Sequence, residues 1–353
     1  MARRGATENA LSARFGDRLR DADGDYRDWL AAAREEVPLR TEVLIERPRS
    51  VLTRNDSPDI PFDRSFNAYR GCEHGCVYCF ARPTHAFHGL SPGLDFESRL
   101  FAKPDGPALL RATFADAGYR PEVLAMGTNT DPYQPIEARF RITRAVLTLC
   151  LEVRHPLSIT TKSDRVLGDL DLLAPLAALG LVRVMLSVTT LDRAMARAME
   201  PRAAAPHRRL AAIRALAAAG VPVLVSASPM IPALNDHELE AILEAAAGAG
   251  AIGAAAIPIR LPHEVAPLFQ AWLRHHRPDR AERVLNAIRE ARGGRLNDPR
   301  FGSRMHGEGE WAKLLGARLA RAKRAHGLDR ELPPLVTHLF RKPAADPRQG
   351  QLF

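Results

Sequence analysis

Three of the four cysteines lie within eight residues, in Gly71-Cys72-Glu73-His74-Gly75-Cys76-Val77-Tyr78-Cys79. Thiolates spaced Cys-x3-Cys-x2-Cys share one small volume, and a metal centre is the chemistry that brings them together. Two kinds of centre fit. A structural zinc site closes four tetrahedral positions, and His74, His85 or His88 is available as the fourth ligand. An iron–sulfur cluster held by three cysteines instead leaves one iron open to a substrate or cofactor. Zinc ribbons pair Cys-x2-Cys with a second knuckle farther along, and the one cysteine left is Cys150. It falls in 141–153, whose apolar spacing is helical, where a free cysteine packs as a small hydrophobe. A disulfide is not expected, because nothing in the chain looks secreted. The spacing favours the open iron–sulfur cluster.

Such a loop needs a scaffold, and the pattern changes to supply one from Ser65 onward. Short apolar runs with β-branched content at 65–69, 122–126, 157–161, 182–188, 221–226 and 252–259 read as strands. Helical stretches near 105–117, 137–153, 165–179, 206–219 and 236–248 separate them. Strands alternating with longer helices predict βα units and a parallel sheet. Polar residues follow the strand runs: Gly127-Thr128-Asn129-Thr130-Asp131, Thr161-Lys162-Ser163-Asp164, Ser187-Val188-Thr189-Thr190 and Ser226-Ala227-Ser228. In parallel barrels, chemistry gathers where strands end and loops begin. Helices at 263–275, 279–292 and 309–325 follow, and they are expected to cover the open side.

The cluster motif, with Tyr78 directly before its last cysteine, resembles that of the radical S-adenosylmethionine (SAM) enzymes. A longer match narrows the resemblance. Asn67-Ala-Tyr-Arg-Gly-Cys-Glu-His-Gly-Cys-Val-Tyr-Cys-Phe-Ala-Arg-Pro83, then Thr84-His85 and Asp131-Pro-Tyr-Gln-Pro-Ile-Glu137, is similar to proteins related to spore photoproduct lyase. Within them it is most similar to an uncharacterised bacterial branch, over about 60–340. The resemblance implies an α/β fold, a partial (β/α)6 TIM-like barrel with extra C-terminal helices. It implies a 4Fe–4S cluster on Cys72, Cys76 and Cys79, with SAM chelated by the open iron. An electron then cleaves SAM to methionine and a 5′-deoxyadenosyl radical, supplied by a donor such as flavodoxin or ferredoxin. Tyr78 would lie near the adenine, Gly127 and Thr128 near SAM's amino group, and Lys162 and Ser187 near its carboxylate and ribose. Arg202 and Arg208 could add a clamp, while Tyr69, Arg70, Arg82, His85 and Glu137 are candidates for the substrate side.

Length and composition set the frame. The 353 residues suit one large α/β domain with extensions. The expected division is a basic, partly ordered arm at 1–60, a barrel at 61–262, a helical extension at 263–335 and a flexible tail at 336–353. No run of 18 apolar residues predicts a membrane span. The N-terminus has arginines without an apolar stretch behind them, which is not a secretory signal, so a reducing cytoplasm is the expected home. A net charge of +9 permits phosphate-rich partners. The alanine runs at 203–219 and 244–256 attribute much of the arginine to genome composition. The alternative function is a non-catalytic nucleic-acid-binding protein stabilised by zinc or an iron–sulfur centre. The end, Gln349-Gly350-Gln351-Leu352-Phe353, resembles short peptides that dock bacterial DNA enzymes on the replication sliding clamp.

Overall fold

The computed structural model describes residues 4–15 and 40–344. Its strands are β1 (Glu42–Ile45), β2 (Leu52–Arg54), β3 (Arg64–Phe66), β4 (Tyr69–Arg70) and β5 (Arg99–Ala102). They continue with β6 (Leu124–Met126), β7 (Leu157–Thr161), β8 (Val182–Ser187), β9 (Val223–Ser226) and β10 (Gly253–Ala255). Seven form one sheet in the order β10-β9-β8-β7-β6-β3-β2. From β3 to β10 the six neighbours are parallel and in chain order, and β2 caps the edge antiparallel to β3. This open sheet, with a helix after each inner strand, has the parallel βα order the alternation predicted and is the partial (β/α)6 barrel the resemblance implied. A second sheet, β1-β5-β4, stands beside it.

Strand periodicity separates the two faces. In β7 and β8, Leu157, Ile159, Val182, Val184 and Leu186 are fully buried in the main core with Leu173, Leu176, Ile213 and Leu216 from the surrounding helices. The alternate residues, Ser158, Thr160, Arg183 and Met185, are only half-buried and line the concave face. Each fully buried aliphatic side chain contributes about 1.5–3 kcal/mol, so the helix-covered face anchors the sheet. The concave face remains available for chemistry.

Two expected elements break where side chains intervene. The run at 65–69 ends its pairing in the large sheet at Phe66 and re-enters pairing as β4 in the small one. Between them, Asn67 turns its amide to the loop after β6. The stretch 137–153 becomes Glu137–Phe140 and Ile142–Val153, separated by Arg141 at φ 52°. Glu137 folds back to accept the N–H of Arg144 at 3.2 Å in the second helix's first turn, satisfying an end group that would otherwise lack a partner.

Two of the C-terminal helices expected at the open side also reach the cysteine loop. Val265–His276 and Ala281–Glu290 bury Phe269, Trp272, Val284 and Leu285 against Val77, Tyr78, Met195 and Met199. They buttress the cysteine loop. Gly309–Ala325 packs on Leu239–Gly248 and β10. The open side is bridged by a polar seam. Arg292 donates to Pro258 O (3.0 Å) and Ile259 O (2.7 Å) beyond β10, and to Ser303 O (3.1 Å) and Arg304 O (2.8 Å). Arg304 in turn bonds Asp59 and Ser57, in the connection between β2 and β3.

The chain then passes under the barrel. Arg183 Nη2 donates to Pro333 O at 2.7 Å, and the N–H of Val336 to Gly180 O at 3.0 Å. Phe340 packs against Phe114, Tyr119 and His155, with ring centroids 5.5–5.9 Å away. Residues 336–341 therefore pack on the barrel floor rather than joining a flexible tail, because an aromatic side chain finds an apolar socket there. The Gln349–Phe353 end lies outside the described residues. Among the described residues no helix is long and apolar enough to cross a membrane.

Candidate functional site

The cysteine loop leaves β4 and turns twice at left-handed glycines, Gly71 (φ 72°) and Gly75 (φ 66°). A Cβ on Gly71 would stand 2.7 Å from Phe96 O, and one on Gly75 2.7 Å from Glu97 Oε2. Glycine is required at both. Cys72 and Cys76 are buried and Cys79 is half-buried. Burial pushes all three thiols up, reinforced by Asp131 at Cys72 and by Glu200 at Cys76. At Cys79, the backbone N–H groups of Ala81 and Arg82 and the charges of Arg82 and Lys162 oppose that shift. Cys76 and Cys79 add to the upward push on Cys72, and Cys79 to that on Cys76.

Three cysteine thiols in one loop are the donor set that a cluster with one open iron takes. Among the described residues, no three His, Cys, Asp or Glu side chains converge as ligands of one metal ion. A zinc site requires that convergence; three thiolates on a cubane bind different irons. The histidines considered as a fourth zinc ligand are otherwise disposed. His74 Nδ1 lies 3.3 Å from Asp131, His85 Nε2 lies 2.8 Å from Arg99 O, and the His88 ring lies against Phe101.

The loop is sutured to the strand ends from three directions. From the segment after β6, Gln134 accepts the N–H of Glu73 at 2.9 Å and donates to Gly71 O at 3.1 Å. Thr130 also donates to Gly71 O, at 2.7 Å. Asp131 accepts from Thr161 Oγ1 (2.6 Å) and from the N–H of Lys162 (2.8 Å) at the end of β7. Burial alone would raise the Asp131 carboxyl, but His74, Thr161 and the Lys162 N–H hold it down to about 2. From the N-terminus, the N–H groups of Gly5 and Ala6 donate to Glu97 at 2.8 Å each. Glu97 also receives Arg82.

The third suture lies behind Tyr78. Its hydroxyl donates to Glu200, which also accepts from Thr189 Oγ1 at 2.6 Å and pairs with Arg209. Arg209 completes its fork at Ala204 O (2.7 Å) and Ser187 O (3.0 Å). Burial would raise the Glu200 carboxyl; Arg209 and Lys162, with Thr189 and Tyr78, hold it down to about 2. Lys162 Nζ stands 5.8 Å from the centroid of the Tyr78 ring, within range of a cation–π contact. Two cofactor candidates from distant parts of the chain thus meet at the cysteine loop, where the Lys162 charge also acts on Cys76 and Cys79.

The remaining candidates divide. Gly127, φ 90°, follows β6 where a Cβ would meet Thr160 O at 2.1 Å. Thr128 exchanges hydrogen bonds with Asn67, and buried Ser187 ends β8 opposite Ser226. These three sit at the strand ends with Lys162. The residues considered for the substrate side are engaged in the scaffold. Tyr69 and Glu137 bond each other in the interior. Arg82 is fully buried, spending its fork on Cys76 O, Pro92 O, Gly93 O and Glu97. Arg70 pairs with Glu46 at 2.7 and 2.8 Å. His85 packs against Phe96, and burial lowers its pKa to about 4. Arg202 bonds Glu73 and Arg208 bonds Asp164 on the surface. Arg209, one position on, is the arginine that turns inward. Sequence reasoning passed over Arg209, Glu200 and Glu97; Asp131 and Gln134 lay in the Asp-Pro-Tyr-Gln-Pro signal without an assigned role.

Comparison with known proteins agrees with this geometry. The family model described as the Radical SAM superfamily matches residues 66–246. An uncharacterised protein of Mycobacterium tuberculosis (strain ATCC 25618 / H37Rv) is 36% identical over 232 residues, 65% of this chain and 68% of that protein. The solved structure of spore photoproduct lyase complexed with dinucleoside spore photoproduct is similar with a TM-score of 0.58 at 17% identity, covering 80% of this chain and 79% of the other. A variant of that lyase with bound AdoMet and dinucleoside spore photoproduct gives the same score and coverage. At that identity the likeness is one of fold.

Proposed function

The chain belongs to the radical SAM superfamily, and on that premise we propose that Cys72, Cys76 and Cys79 hold a 4Fe–4S cluster at which this enzyme cleaves SAM. The observation that carries the reading is the meeting of Lys162 with Tyr78 of the cysteine loop. When bound, the cluster and SAM supply reductive cleavage to methionine and a 5′-deoxyadenosyl radical, which abstracts hydrogen from a substrate. The protein's own residues do the holding. Lys162 offers the positive charge a carboxylate needs, Tyr78 offers a ring face near the adenine, and Glu200 with Arg209 fixes that ring through its hydroxyl. Gly127 lets the backbone after β6 pass close to Thr160 O, and it stands at the strand ends with Thr128 and Ser187 as polar neighbours of the ligand.

The substrate side of the reading is DNA or a DNA-derived molecule. Two features support it: the net charge of +9 and the fold shared with a lyase solved with dinucleoside spore photoproduct. A small redox protein, flavodoxin or ferredoxin, is the proposed electron source. The Gln349-Gly350-Gln351-Leu352-Phe353 end is proposed to dock on a sliding clamp, and a peptide of residues 341–353 should then bind clamp at about micromolar affinity, roughly −8 kcal/mol. Replacing Leu352 and Phe353 by Ala should remove that binding and spare SAM cleavage.

The test of the whole reading is anaerobic reconstitution with iron and sulfide, reduction in the presence of SAM, and assay for 5′-deoxyadenosine. Slow cleavage without added substrate is expected. Zinc retained tightly by the same cysteines after iron loading, with no 5′-deoxyadenosine, would return the protein to the non-catalytic alternative.

A further inference from the structure

The seam across the open side of the barrel holds more positive charge than its partners account for. Arg292 is 3% exposed, yet its guanidinium meets only the four carbonyls of Pro258, Ile259, Ser303 and Arg304. Arg304 has Asp59 as its carboxylate. Arg260, between these two, has no carboxylate within 4.0 Å among the described residues. Its Nε is buried without a hydrogen-bond partner, and its Nη1 reaches only Met305 Sδ at 3.5 Å. A thioether is a weak acceptor, so most of the fork is unspent. Asp298 and Glu308, the other carboxylates facing Arg292, are paired with Arg300. Burial, then the like charge of Arg304, lowers the Arg260 pKa against the opposing charge of Asp59; burial and Arg260 lower Arg292 to about 10.

Three guanidinium groups this close, one of them half-buried Arg260 and with Asp59 shared between Arg304 and Arg260, repel one another and favour an added anion. We propose that Arg260, backed by Arg292 and Arg304, is a phosphate-binding site at the open side of the barrel just beyond β10. Guanidinium forks match phosphate oxygens in a bidentate way, and the two Nη groups of Arg260, engaged among the described residues by nothing stronger than the Met305 thioether, can make such a contact while its Nε stays enclosed. Its neighbours are held in place by the seam and add field without competing for the same oxygens. The site goes beyond SAM cleavage and does not depend on it. The phosphate could belong to a nucleotide or to a nucleic-acid strand, and the two sources share this chemistry.

The experiment uses the full chain in phosphate-free chloride buffer, with inorganic phosphate, thymidine, thymidine 5′-monophosphate and a short oligothymidylate as probes in calorimetric titrations. Phosphate-bearing probes should bind and thymidine should not. Arg260→Gln should weaken phosphate binding about ten-fold or more, the loss of one charge-assisted contact. Arg330→Gln, an exposed control, should not. The melting temperature of Arg260→Gln without phosphate should stay level or rise, because one of three mutually repelling charges has been removed. Equal affinity for the monophosphate and the oligomer would identify a nucleotide site, and tighter oligomer binding a strand site. Unchanged phosphate affinity in Arg260→Gln, an equal loss in Arg330→Gln, or a variant that melts lower without phosphate would each overturn the proposal, the last by making Arg260 a structural residue.

Discussion

Around the cysteine loop, two buried arginines and a buried histidine face three carboxylates: Arg82 with Glu97, Arg209 with Glu200, and His74 with Asp131. Across the open side of the same barrel, Arg260 and Arg292 have carbonyls and a thioether instead. The first region is finished by the protein alone. Its hydrogen bonds fix the loop before any cofactor arrives, which is what holding a reactive group in one geometry demands. The second region is incomplete by itself, which suits a surface that must recognise something absent from the chain. The difference teaches where preorganisation ends and recognition begins.

The largest effect expected is all-or-none. Cys72→Ala, Cys76→Ala or Cys79→Ala should each abolish cluster assembly, read as iron and sulfide content after anaerobic reconstitution. Full iron loading in any of them would break the assignment of this loop as the finished region. Next comes Arg209→Met, which leaves Glu200 buried without its ion-pair partner. Breaking such a pair costs about 3–5 kcal/mol, measurable by denaturant unfolding of the apoprotein. The corresponding change on the open side, Arg260→Gln, should cost nothing, and equal losses in the two variants would erase the contrast.

Lys162→Ala should weaken SAM binding by about 1–3 kcal/mol, as expected for a lost charged hydrogen bond in a partly dry site. Lys162→Met keeps the contact with the Tyr78 ring and removes the charge, so it separates electrostatics from packing. An unchanged SAM dissociation constant in both would make Lys162 an ordinary loop residue. The smallest effect belongs to Cys150→Ala. This thiol is fully buried on the helix Ile142–Val153, so the change should cost about 1 kcal/mol of folding stability through the small cavity left. Iron content should not move.

Much of the scaffold was legible because strand burial follows simple periods. The runs at 157–161 and 182–188 alternate or run apolar, and β7 and β8 appear there almost residue for residue. The bend between β3 and β4 was not legible, since it depends on an Asn67 side chain finding a loop far along the chain. Nor was the floor of the barrel. Phe340 reads as part of a charged tail until Phe114, Tyr119 and His155 are seen to form its socket. Tyr69, Arg82 and Glu137 sit in the most specific sequence segments, yet their polar groups serve the fold, because segments that hold a loop in place need buried polar partners of their own.

By itself the sequence determined the cluster motif, the βα alternation and the strand-end position of Lys162, all properties of spacing along the chain. Tertiary structure alone decided which charges are paired. Arg208 and Arg209 are neighbours in sequence, but about 100° of helical rotation sends one to Asp164 at the surface and the other to Glu200 in the interior. The same holds for Arg260 and Arg292, whose lack of a carboxylate depends on what other segments bring near. Spacing is a local property that one strand of text can carry; desolvation and pairing are sums over neighbours in space, and only the folded chain supplies them.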